Sequence, residues 1–318
     1  MSSNVVKRRE AAILPVEVTD FMSHAKADNT VRAYRAAWED FTNWCDAKRI
    51  DPFCDDPSII AMYISFCALG GLRVSTIDVR LAAIKKSYRY KGLNDPTSDE
   101  VVRTTMDGIR RKIGTRPNQK SAILLDPLRR AISSLPDSLP GKRDKAILLA
   151  GWALACRRGE LVSLDIEDLT HDENGIRAIL RRSKQDQIGA GTEKHIPYLN
   201  DKIMCPVTAI NQWLSDARII SGPIFRKVDR WGKVSHKRLT DQVVAVIVKR
   251  AAISAGLDPK KFSGHSLRAG FVTQGILNDV DALGIQAVTA HESLDTITKY
   301  QRSAGKKARD VVRKAFGE

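Results

Sequence analysis

NGIRAILRRSKQDQIGAGTEKHIPYL, residues 174–199, is where the periodicity of this chain changes. Apolar and polar residues alternate on either side of a glycine-containing stretch, which predicts two short strands joined by a loop. Elsewhere the apolar residues recur at helical spacing. The expected fold is therefore mainly α with one small antiparallel sheet. That sheet lies in the second part of the chain, so an all-α first domain precedes an α+β second domain.

Working back from the strands, residues 16–114 read as helices only. DNTVRAYRAAWEDFTNWCDAK places Val31, Tyr34, Trp38, Phe41 and Trp44 on one face behind a capping-type Asp28/Asn29. PSIIAMYISFCALGG is a more buried helix closed by Gly70 and Gly71. VSTIDVRLAAIKKSYRYKG and TSDEVVRTTMDGIRRKIG follow, the latter with a basic last turn that complements the helix dipole. Residues 1–15 are expected to be a flexible N-terminus. TRPNQKSA, 115–122, is polar, contains Pro117 and makes the best linker. Within the second domain, 123–318, helices are expected near 126–134, 141–156, 205–217, 239–255 and 266–278, with shorter pieces beyond.

Composition narrows the partners. The chain has 318 residues, is 43% hydrophobic and 28% charged, and carries a net charge of +15. Such an excess favours a polyanion, most often nucleic acid, although a basic solvated surface gives the same count. No apolar run approaches the roughly 20 residues of a membrane span, and the N-terminal residues lack a secretory pattern. The five cysteines are scattered without a CxxC pair, so neither a zinc ribbon nor a disulfide framework is indicated. A cytoplasmic, nucleoid-associated location is expected, with no membrane partner and no small-molecule substrate.

Four fragments carry possible chemistry. In ACRRGELVSLDIEDL, Glu160 lies three residues after Arg157, within reach on one helical turn, with Arg158 as a second candidate. Taken alone, that spacing equally describes a surface ion pair. Lys184 occupies the loop between the two expected strands, where a solvated basic hairpin is the commoner case. GHSLRAG sets His265 and Arg268 on one side of a helix start, a place that suits phosphate. TAHESLDTITKY puts His291 nine residues before Tyr300, and a lone tyrosine there is ordinarily packing.

In this order, RxxEL, a lysine between strands, HxxR, and a His and Tyr nine apart, the set resembles the tyrosine recombinases. Residues from about 125 to 302 look like the catalytic domain of the phage integrase family, and the helices before them resemble its SAM-like core-binding domain. RSKQDQIGAGTEK is particularly similar to the Cre-like hairpin, with a matching lysine at Lys184. Two departures stand out. CRRGEL has an arginine after Arg157 where many relatives have an apolar or small residue, and the position of His291 is Trp in Cre-like proteins but His in many integrases.

The resemblance implies a site-specific recombinase that cleaves DNA through a 3′-phosphotyrosyl link to Tyr300, without metal, ATP or another cofactor. It implies that Arg157 and Arg268 grip the non-bridging oxygens and that Lys184 is the general acid on the 5′-oxygen. His265 would assist proton transfer at the nucleophile, His291 would hydrogen-bond the phosphate, and Glu160 would orient Arg157 or His265. It further implies double-stranded DNA as partner and a tetrameric synapse on two sites. A relaxing enzyme or hairpin resolvase using the same step, and a DNA-binding relative that has lost catalysis, remain as alternatives. VSTIDVRLAAIKKSYRYKG is the expected groove helix, with Arg73, Ser75, Thr76, Arg80 and Lys86 as contacts; a solvated basic face competes at each. The tail KKARDVVRKAFGE has an apolar face of Ala308, Val311, Val312 and Phe316. The family favours docking of this tail on a neighbour, and folding back on its own domain has equal weight.

Overall fold

The computed structural model describes residues 28–115, 120–181, 191–290 and 297. Lys184, His291, Tyr300, the N-terminal stretch and the C-terminal tail lie outside the described residues. The chain divides into two compact units, 1–118 and 119–318, each with a core of its own.

The first unit is helical among its described residues. Helix α1 (Asp28–Lys48) packs on α3 (Val74–Tyr90), and α2 (Pro57–Leu69) packs on α4 (Glu100–Ile113). Pro57 and the Asp56 carboxylate, which accepts from Ser58 N at 2.8 Å, start α2 by satisfying a free helical N–H. Asp99 does the same for α4, accepting from Val101 N at 2.9 Å. The core between these helices is strongly aromatic: Phe41, Trp44, Tyr63 and Tyr88 are buried with Ile64, Ile77, Ile84 and Met106. Phe41 and Tyr63 meet edge to face at 4.9 Å between ring centroids, the geometry that a ring's electrostatic quadrupole favours.

The second unit is mainly α with a small antiparallel sheet. Its middle is α6 (Leu139–Ala153), buried on nearly every side. The other described helices are α5 (Leu125–Ser133), α7 (Arg158–Ser163), α8 (Pro206–Asp216), α9 (Asp241–Ser254), α10 (His265–Leu277) and α11 (Ala282–Thr289); α7, α8, α9 and α10 pack on α6, α5 packs on α9, and α11 packs on α10. The sheet has three strands in the order β1 (Leu169–Asp172), β2 (Gly175–Leu180) and β3 (Thr192–Pro197). β2 and β3 are the two strands expected from 174–199; β1 is an addition. In β3 the inward residues are Lys194 and Ile196, and Lys194 pairs with Ala178 of β2. A separate hairpin of β4 (Arg226–Val228) and β5 (Val234–Arg238) was not foreseen.

Helix α10 is set by one close approach. A Cβ on Gly270 would lie 2.0 Å from Ile123 O and 2.8 Å from Trp152 Nε1. The incoming strand-like segment can thus run directly against the helix, with Ile123 N donating to Ser266 O and Trp152 Nε1 donating to Ile123 O. Leu125 N adds a bond to Gln274 Oε1. These contacts position the first turn of α10, which carries His265 and Arg268.

Candidate functional site

The site starts at a turn. Helix α6 ends at Ala153, and Ala155 adopts φ +46°, a left-handed conformation that strains an L-residue. Two cations hold this turn by its carbonyls: Lys194 Nζ donates to Leu154 O at 2.8 Å and Arg268 Nη1 donates to Ala155 O at 2.7 Å. The reversal brings Arg157 to the start of α7 as its capping residue.

Glu160 then locks Arg157. Its carboxylate accepts from Arg157 N through Oε2 and from Arg157 Nη1 through Oε1, both at 2.7 Å. Glu160 is 7% exposed, so little water competes for these charge-assisted bonds. Arg158 takes another direction, with Nε 3.0 Å from the Asp241 carboxylate. Of the adjacent arginines, it is Arg157 that Glu160 orients.

Arg268 lies one helical turn after His265 and is 2% exposed. His265 opens α10 and is solvent-exposed as a residue. Its pKa is nonetheless lowered below the usual 6.5, first by the protein that crowds the ring and then by the guanidinium groups of Arg268 and Arg157. The structure therefore brings Arg157, Glu160, His265 and Arg268 into one neighbourhood, with the imidazole neutral at physiological pH. Buried Cys156 beside them is a thiol: desolvation, with Glu160 as a lesser cause, pushes its pKa up to about 12. Three cations (Arg157, Arg268 and Lys194) around one buried carboxylate leave a positive excess suited to a phosphodiester.

The flanks of the Lys184 segment are described although Lys184 is not. At the end of β2, Arg181 Nε donates to the buried carboxylate of Asp168. Asp168 Oδ2 also accepts from Asp165 N at 2.9 Å, so the base of this hairpin is tied to the loop after α7.

In the first unit, Arg73, Ser75, Thr76 and Lys86 are exposed, and Ser75, Val79 and Lys86 share a stripe of α3. Arg80 has a different employment. Its guanidinium lies 2.8 Å from Asp40 Oδ2, donates to Cys67 Sγ at 2.9 Å and sits over the Tyr63 ring. With its side chain 16% exposed, it ties α3 to α1 and α2.

Sequence reasoning passed over two features. One is Lys194, whose place on the inward face of β3 follows from the alternation in TEKHIP. The other is the β4–β5 hairpin, where Trp231 is 79% exposed beneath Arg230, 4.6 Å from guanidinium carbon to ring centroid. Arg238 fastens this hairpin to the site, donating to Val162 O at 2.8 Å and to Asp165 Oδ1 at 2.6 Å.

The sequence matches the phage integrase family over residues 124–307. The chain belongs to that family. An integrase/recombinase xerD homolog of Selenomonas ruminantium is 38% identical over 284 residues, covering 88% of this chain and 83% of the relative. A tyrosine recombinase of Synechocystis is 29% identical over 297 residues, covering 88% of each chain. Among solved structures, the XerH site-specific recombinase bound to a palindromic difH substrate superposes with a TM-score of 0.60 at 18% identity, over 81% of this chain and 71% of that one. The Tn1549 transposon integrase in complex with transposon right end DNA gives 0.60 at 14% identity, over 93% and 98%. These two likenesses are of fold, over 81% and 93% of this chain.

Proposed function

We propose that this integrase-family chain is a site-specific recombinase that breaks and rejoins double-stranded DNA through a covalent link to Tyr300. The observation that carries the reading is the cluster of Arg157, buried Arg268 and neutral His265, with Arg157 held at both its amide and its guanidinium by Glu160. Two guanidinium groups grip the non-bridging oxygens of the scissile phosphate and stabilise the charge that builds there during attack. The phenol of Tyr300 attacks phosphorus, and His265 takes its proton because its lowered pKa keeps the ring unprotonated. The P–O5′ bond breaks as Lys184 protonates the leaving oxygen, and His291 donates to the phosphate. The product is a 3′-phosphotyrosine and a free 5′-hydroxyl. Because the phosphodiester is exchanged rather than hydrolysed, the partner strand's 5′-hydroxyl reverses the step without ATP or metal. Exchange between two duplexes calls for four protomers, one per cleaved strand, in a synapse.

The names of the relatives support this reading, since two solved structures of the same fold carry recombinase substrate or transposon-end DNA. Its test uses a site found by footprinting DNA that flanks the gene. With a nicked version of that site, wild type is expected to accumulate a protein–DNA adduct, while Tyr300→Phe binds the DNA equally and forms none. Absence of a wild-type adduct at a site the protein demonstrably binds would sink the enzymatic reading. Strand exchange between two sites, rather than relaxation of a supercoiled plasmid alone, separates a recombinase from a relaxing enzyme.

A further inference from the structure

Lys194 is a charged side chain in the middle of a core. It is 6% exposed and stands on the inward face of β3 between Leu180, Ile196 and the sheet's apolar side. Its ammonium donates to two carbonyls, Leu154 O at 2.8 Å and Val288 O at 2.7 Å. Each carbonyl is at the C-terminal end of a helix. Leu154 caps α6, and Val288 lies in the last turn of α11. The negative ends of two helix dipoles therefore converge on one buried cation, which offsets part of its desolvation. Burial is the first cause of its lowered pKa, with Arg268 and Arg157 adding to it while Cys156 and Glu160 oppose it.

A left-handed residue follows each carbonyl and ends its helix, one residue on in the first case and two in the second. Ala155 has φ +46° and Ala290 has φ +51°, both left-handed and both strained for alanine. In sequence, Arg157 follows the first of these residues, and the segment containing His291 and Tyr300 follows the second. A surface lysine has no such geometry, and a core that needed only volume would place an apolar residue here at lower cost.

We propose that Lys194 is a positioning residue of the cleavage reaction, stapling the end of the helix that delivers Arg157 to the end of the helix that leads to Tyr300. In this role it acts through the two carbonyls it holds. It sets the spacing between the phosphate clamp and the nucleophile-bearing segment by holding the ends of both helices from one point. The inference rests on Tyr300 acting as the nucleophile.

Lys194→Met keeps most of the buried stem and removes the staple. On a nicked site it is expected to bind DNA as wild type does, to melt cooperatively, and to form the covalent adduct about 10²-fold more slowly, the scale of an ångström-sized misplacement of reacting groups. A substrate with sulfur in place of the bridging 5′-oxygen makes the second arm. Its thiolate leaves without protonation, so loss of a general acid is rescued while loss of nucleophile placement is not. The methionine variant should stay slow on that substrate, whereas Lys184→Ala should recover. Adduct formation at the wild-type rate, or rescue of Lys194→Met by sulfur, overturns the proposal. If the methionine variant does not fold, Lys194→Gln, too short to span both carbonyls, is read with the same expectations. A wild-type protein that makes no adduct would instead remove the Tyr300 reading itself.

Discussion

Glu160 shows how much of this site depends on one buried acceptor. Its two oxygens take two separate N–H groups of the same arginine, so they fix where Arg157 starts and where its guanidinium points. Glu160→Gln keeps one acceptor oxygen and turns an N–H donor toward the other Arg157 donor. The expected loss is roughly 1.5–3 kcal/mol of stability, the range for hydrogen bonds to charged groups, readable by chemical denaturation. Single-turnover cleavage should slow more than DNA binding weakens, because the guanidinium loses its aim rather than its charge. His265 makes a prediction in pH. Its folded pKa lies below the ordinary 6.5, so the unfolded chain binds the proton more readily. Its contribution to stability is complete above about 6.5 and is lost as pH falls through the lowered folded value. Melting temperatures of wild type and His265→Gln, compared from neutral to mildly acid pH, should show wild type losing ground only below about pH 6.5. A difference independent of pH would contradict the assignment. Adduct formation should share that acid limb, since protonated imidazole cannot accept from the phenol.

At the scale of elements, the site depends on how closely α10 meets the segment before α5. Gly270→Ala would drive a methyl into the backbone carbonyl of Ile123 and against the Trp152 indole. That carbonyl accepts from the Trp152 indole, and the N–H of the same residue donates to Ser266 O, so the segment has little room to yield and the helix must shift, carrying His265 and Arg268 with it. We expect a loss of about 2–3 kcal/mol, the upper part of the range for overpacking, and a cleavage defect larger than that of a similarly destabilising change in the first unit. Thermal unfolding and adduct assays on the same preparation test both. The elements that were legible from sequence share one property: their pattern is long enough to repeat. In α1, α3 and α4 apolar residues recur over several turns, β2 and β3 alternate, and α2 and α6 are long apolar runs. β4 is three residues long and β5 is VSHKR, with its last three residues exposed. Neither has an apolar alternation to read, and Arg238 ties the hairpin to the end of α7 and the loop after it. Lys194 was missed for the opposite reason: its alternation was visible, but a lysine on an inward strand position runs against the usual cost of burying charge. Arg80 reads as a groove contact or a solvated cation from its place in a basic stretch; only the fold brings Asp40, Cys67 and Tyr63 around it.

At the scale of the whole molecule, the charge is shared unevenly. Of the 52 basic and 37 acidic residues, 19 and 15 fall in residues 1–117 and 33 and 22 in the rest, leaving the two parts at +4 and +11. Each unit also has a separate core, the first aromatic and the second built around α6, so neither needs the other to bury its apolar residues. Two basic units on one chain, if both contact the same DNA, reinforce each other through effective concentration rather than through added contacts. Linked binding of this kind exceeds either part alone by roughly 10²–10⁴-fold. Cutting the chain in the polar stretch between Thr115 and Lys120 therefore makes a direct test. Both fragments are expected to melt cooperatively, and each to bind a footprinted site at least about a hundredfold more weakly than the intact chain. Counterion release gives a second reading of the same experiment. The logarithm of affinity falls with the logarithm of salt concentration by about 0.9 for each phosphate neutralised. The intact chain should therefore show a slope close to the sum of the two fragments' slopes. Should the fragment 120–318 bind as tightly and with the same slope as the whole protein, the first unit would have no part in holding DNA, and the stripe of Ser75 and Lys86 on α3 would be a solvated surface.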